Sequence, residues 1–120
     1  MPHKNTFLDA LRAIDVDIDG TLARFMDNAA LLEKFLRRYP KDELMPPVLK
    51  AFGESDCEAL GKALHKMKGT SVNLGINNIA EQCEHISNMI KQKNNADLNP
   101  LIEKLHADYN EVVNVIKNTA

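Results

Sequence analysis

Leu64-His65-Lys66-Met67-Lys68-Gly69-Thr70-Ser71-Val72-Asn73-Leu74-Gly75 is the stretch whose reading decides the fold. Plotted as a helix, it puts Leu60, Leu64, Met67 and Leu74, with small Ser71, on one stripe at helical spacing. That stripe is a core face. His65 lies outside it, about 100° round the barrel, on a flank shared with Gly61, Lys68, Gly69 and Val72. The imidazole therefore has a lysine one turn on and glycines one turn before and after. Glycine inside a helix costs about 1 kcal/mol relative to alanine, so two of them around one ring require a reason. The simplest is clearance for another protein's surface to approach the imidazole.

The neighbouring segments read as helices too. Thr6 to about Ala13 has Phe7, Leu8, Leu11 and Ile14 as its apolar face, followed by an acidic, turn-rich link from Asp15 to Gly20. Thr21 to Met26 carries Leu22, Phe25 and Met26 and ends at Asp27-Asn28. Asn28 can cap a helix in which Leu31, Leu32, Phe35, Leu36 and Tyr39 recur until Pro40. Asp42 to Phe52 is a further helix, restarted or kinked at Pro46-Pro47. Ser55-Asp56-Cys57-Glu58 reads as a capping box opening the His65 helix, and Gly75 suits a left-handed cap at its end. Asn78 with Glu81 repeats the box for a helix whose stripe is Ile79, Cys83, Ile86 and Ile90, closed by Lys91-Gln92-Lys93. Asn99-Pro100 is a cap followed by proline, and the last helix is expected to bury Leu101, Leu105, Val112 and Ile116.

No alternating strand pattern competes. The expected architecture is all-α, an up-and-down antiparallel four-helix bundle with additional short N-terminal helices. It forms one domain over 1–120, with short helices in 6–54, a hairpin carrying His65 in 55–93 and a C-terminal helix over 99–118. Aromatics are only 5% of the chain and tryptophan is absent, which points to an aliphatic, methionine-containing core. The net charge of -2 and the lack of dense basic runs give no footprint for nucleic acid. No apolar run reaches the length of a membrane span, and the polar start has no signal-peptide core, so a cytoplasmic protein is expected. Cys57 and Cys83 are far apart, and reduced thiols follow as the default.

His65, Lys68, Gly69, Ser71, Leu74 and Gly75, with Thr70 at a small-residue position, resemble the signature of the histidine-containing phosphotransfer (HPt) family. That signature runs His-x-x-Lys-Gly, then small residues, then Leu-Gly. The resemblance continues through Ile79, Ala80 and Glu84, and more loosely back to Ile14. It implies that His65 is phosphorylated by a receiver domain's aspartyl phosphate and passes the group to another receiver aspartate. The residue types suit this. A neutral imidazole is a good nucleophile near physiological pH. Lys68, at i+3, is on the right face to stabilise the transferring oxygens.

The resemblance further implies clearance at Gly69 and a docking surface of Gly61, Lys62, Lys66 and Val72. Response-regulator receivers and a hybrid sensor histidine kinase would be the partners, and a receiver would bring the magnesium ion. The chain itself needs no metal, cofactor or ATP site, and a monomer is expected. Several relatives orient the imidazole with Gln or Glu on the following helix, twenty-two residues after the histidine. Ser87 stands at that position here, with Glu84 one turn earlier as the second candidate. Leu64 replaces the alanine that often precedes the histidine.

Plainer and rival readings stand beside this one. His65 alone would be an ordinary surface histidine, and the chain a non-catalytic interaction module with a decayed signature. Lys62, Lys66 and Lys68, with Arg37-Arg38, form at most a modest basic patch, either steering an acidic receiver or simply solvated. His3, His85 and His106 lack ligand spacing, and Glu81 with His85 reads as a surface pair rather than a metal site. Asp17-Ile18-Asp19-Gly20-Thr21-Leu22 matches the nucleophile motif of haloacid-dehalogenase-type phosphatases. That chemistry needs the end of a buried parallel strand, whereas the residues before Asp17 read as a helix end. A capping acidic turn is the better reading.

Overall fold

In a computed structural model, which describes residues 6–92 and 97–119, the described residues are mostly helical and no strand occurs among them. The helices are α1 (Thr6–Arg12), α2 (Ile18–Arg24), α3 (Ala29–Arg38), α4 (Met45–Gly53), α5 (Cys57–Asn73), α6 (Asn77–Lys91) and α7 (Asn99–Asn118). A 3-10 turn, Tyr39–Asp42, joins α3 to α4. Helix α5 packs against α4 on one side and α6 on the other, and α7 closes the bundle against α6, α3 and α4. One bundle arm is thus built in two pieces, α3 and α4. Pro46 and Pro47 start α4 anew because the first turn has no use for their missing N–H groups.

The stripe read on α5 is the core face: Leu60, Leu64, Met67 and Ser71 are buried in the helix, and Leu74 just beyond it. Ile79, Cys83 and Ile86 meet it from α6, with Ile90 half-buried at the edge. The Ser71 hydroxyl is satisfied inside this core by the Tyr39 hydroxyl at 2.7 Å, and the Tyr39 ring tilts against Tyr109 at 5.6 Å. Burial pushes the Tyr39 phenol well above its usual range, so it stays a neutral hydrogen-bonding group.

Several local expectations shift by a residue or a turn. Helix α2 begins at Ile18, not Thr21, because the Asp17 carboxylate caps it by accepting the Gly20 N–H at 3.1 Å. It buries Ile18 and Thr21, while Met26 is 90% exposed. Leu31 and Phe35 face outward on α3, and Leu32, Leu36 and Tyr39 face in. Asp42 lies in the 3-10 turn, not in α4. Asp56, not Ser55, caps α5 through the Ala59 N–H at 3.0 Å, so the expected capping box does not form. Asn78 is inside α6 and no side chain caps that helix. Asn99 is likewise the first residue of α7 rather than its cap, and the Asp97 carboxylate accepts its N–H at 2.9 Å. Ile102 replaces Leu101 in the core. Lys93 and His3 lie outside the described residues.

Helix α2 and its cap sit at the α5–α6 turn and hold it. Gly75 has φ +76°, the left-handed conformation expected of a helix-ending glycine. Its carbonyl accepts the Asp17 N–H at 2.9 Å, and Arg24 donates to the Val72 carbonyl at 3.1 Å. The turn that ends the His65 helix is therefore clamped by α2.

Helices α6 and α7 are tied by Asp108, whose carboxylate accepts from Lys104 and Gln82 at 2.7 Å each and from Asn78 at 3.1 Å. The Lys104 hydrogen bond chiefly holds this carboxyl below its usual range, partial burial opposes it, and the two amides add to it. A carboxyl lowered in the folded state contributes stability above its unfolded pKa and loses it as pH falls through the folded one. Asp108→Asn is expected to lower the melting temperature at neutral pH, with the gap to wild type closing on acidification. Thermal melts at a series of pH values check this.

Candidate functional site

The flank of α5 that carries His65 forms one wall of a groove of about 510 Å³ whose other wall is α6. Because residues three and four apart share a helix face, Gly61, His65 and Lys68 line it together, with Lys62 at the rim. Glu84 and Ser87 line it from α6. The imidazole is exposed, and among the described residues no hydrogen bond or ion pair engages it. A partner's reacting group can reach it directly.

Lys68 stands between the helices. Its Nζ lies 3.7 Å from Glu84 Oε1, and the two side chains are 40% and 56% exposed. Glu84 thus pairs with the lysine and not with the imidazole. Behind them Cys83 is buried, and desolvation pushes its thiol up to about 12 against the opposing charge of Lys68. It is a neutral core group and no rival nucleophile. Lys62 is paired with Glu58 at 3.4 Å, with both side chains largely in solvent.

The two glycines differ from Gly75 in a telling way. A Cβ built at Gly61 or Gly69 meets nothing within 4 Å, whereas one at Gly75 would lie 2.2 Å from Thr21 Oγ1 and 2.5 Å from the Asp17 carbonyl oxygen. The fold requires Gly75. It gives no reason for glycine at 61 or 69.

Of the residues singled out from sequence, the groove gathers His65, Lys68, Gly61, Lys62, Glu84 and Ser87. Gly69, Lys66 and Val72 are exposed on α5 outside it, Val72 at 37%. The arginines do not join the site. Arg37 bonds Glu33 and the Thr119 carbonyl and covers the Phe7 ring at 4.0 Å, and Arg38 lies over Phe35. Sequence reasoning missed Asn88 and Lys91, which continue the α6 wall. The i, i+3, i+4, i+7 spacing from Glu84 through Ser87, Asn88 and Lys91 was the available signal. Asp17 is occupied as a helix cap, Asp19 pairs with Arg12 at 2.9 Å, and the segment is helical rather than the end of a strand. Among the described residues no three His, Cys, Asp or Glu side chains converge where a metal ion could sit.

The all-α bundle with an exposed, lysine-flanked histidine defines a class, and comparison with known families agrees. A family model described as Hpt domain matches residues 23–115, most of the chain. The chain belongs to the histidine-containing phosphotransfer (Hpt) domain family. Members are phosphotransfer modules of two-component phosphorelays, not kinases, and they work with receiver domains and histidine kinases. Neither the curated proteins nor the solved structures searched give a match. No helix of the described residues is long and apolar enough to cross a membrane.

Proposed function

We propose that this chain is a phosphorelay intermediate in which His65 takes a phosphoryl group from a receiver's aspartyl phosphate and hands it to another receiver aspartate. The observation that carries this reading is the exposed imidazole beside Lys68, flanked by two helical glycines whose Cβ positions are open. In the transfer, the unprotonated ring nitrogen attacks phosphorus and an N–P bond forms as the acyl P–O bond breaks. The partner's aspartate leaves as a carboxylate. The other ring nitrogen keeps its proton, which solvent can then take, so no catalytic base is needed. Lys68 offers its ammonium to the oxygens on which charge accumulates. Magnesium enters with the receiver's acidic pocket, and docking is transient and small in area.

Mixing the chain with a phosphorylated, magnesium-loaded receiver domain tests this. Acid-labile phosphate on the chain supports the relay. Stable binding to the receiver without transfer would leave a non-catalytic interaction module instead.

The glycines give a second check. Gly61→Ala and Gly69→Ala should each stabilise the fold, by about 0.5–1 kcal/mol, since nothing obstructs the added methyl. Both should slow transfer from a receiver, because the methyl stands where the partner approaches. Greater stability with unchanged transfer rates would remove clearance as their purpose.

A further inference from the structure

The transfer chemistry needs His65 and a cation, yet the groove places a carboxylate directly on that cation. Lys68 Nζ is 3.7 Å from Glu84 Oε1, while His65 lies one turn before Lys68 on the same wall. A phosphoryl group on the imidazole adds close to two negative charges beside the same ammonium. Lysine is a compact point charge on a flexible stem, so the two anions compete for it. We infer that Glu84 is a positioning residue that holds Lys68 between the helices in the unphosphorylated protein and yields it to the phosphoryl oxygens. Glu84 thereby limits how readily His65 is phosphorylated.

The exposure of the pair makes this workable. Side chains 40% and 56% in solvent form a weak pair, of the kind that shifts equilibria by about fivefold at most. An incoming phosphoryl group can displace such a partner, and the effect is still large enough to measure. Lys62, the other α5 lysine lining the groove, has a carboxylate of its own in Glu58, at 3.4 Å. Glutamine at 84 would keep an oxygen that accepts from Lys68 but remove the competing charge.

The inference rests on His65 as the acceptor, and its test is chosen to need no receiver. Phosphoramidate is the donor. The imidazole nitrogen attacks phosphorus, the N–P bond to His65 forms, the donor's own P–N bond breaks and neutral ammonia leaves its zwitterion. Intact-mass rates of phosphate incorporation are measured for wild type, Glu84→Gln, Lys68→Met and the double variant, all with matching melting curves. His65→Gln gives the background from other histidines. Glu84→Gln should raise the rate at His65 about two- to fivefold, the span of an exposed pair. In the Lys68→Met background the same change should have almost no effect. An unchanged or slower rate in Glu84→Gln, or an equal gain with Lys68 absent, would overturn the inference. A receiver that fails to transfer to a chain phosphoramidate labels normally would count against the relay reading and leave this result standing.

Discussion

His65→Gln is expected to lose phosphate acceptance from a receiver completely while melting within about 3 °C of wild type. The loss is total because glutamine has no nucleophilic ring nitrogen, and no second histidine shares the groove among the described residues. The fold is indifferent because the imidazole is exposed and holds no partner. Substitutions at such positions usually change stability by less than about 0.5 kcal/mol, which is a few degrees for a domain of this size. Transfer assays and thermal melts on the same preparation check both halves. A variant that still accepts phosphate would remove His65 from the mechanism, and one that unfolds would make it a structural residue.

Gly75→Ala is expected to have the opposite profile, a large loss of stability from a single methyl. Left-handed backbone costs a non-glycine residue about 1–2 kcal/mol by itself. The added Cβ would also lie 2.5 Å from the Asp17 carbonyl oxygen, which is backbone and cannot swing aside. Relief requires α2 to move off the turn, and with it go the Asp17 N–H to Gly75 bond and the cover of buried Thr21. About 3–4 kcal/mol in all is a fair sum of strain and lost packing, or roughly 10–20 °C in melting temperature. Melting near the wild-type temperature would mean that α2 does not clamp the turn. Because this turn ends the His65 helix, the variant should also lose transfer in proportion to the unfolded fraction and not beyond it.

What could be read from the residues was what short-range periodicity controls. The α5 stripe, the left-handed Gly75, the Asn28 cap and the grouping of His65 with Lys68 all depend on neighbours within one or two turns. The misplacements arise where two local solutions compete and a distant contact chooses. Ser55 and Asp56 can both cap a helix, but the reversal out of α4 pulls Ser55 into the left-handed region and leaves Asp56 to cap. Asp19 and Gly20 look like a turn, and become helical because Asp17 satisfies the Gly20 N–H and α2 packs on Gly75. Choosing Leu101 over Ile102 is an error of one residue, or about 100° of rotation, fixed by how α7 meets α6. Phe35 looked like core and lies edge-on to Phe25 at 5.7 Å on the outside of α3.

The site shows the same division. Which residues flank His65 on its own helix is a matter of spacing. Which residue across the groove meets Lys68 is a matter of how α5 and α6 are set against each other. The contact between Lys68 and Glu84 therefore came from the structure, and it gives Glu84 a partner other than the imidazole.

The central claim is tested most directly by locating the phosphate. The wild-type chain would receive phosphate from a magnesium-loaded, phosphorylated receiver domain and then be cleaved and sequenced by mass spectrometry without exposure to acid. One acid-labile phosphate on His65 is the predicted result. Phosphate on His85, His106 or Asp17 would contradict the assignment.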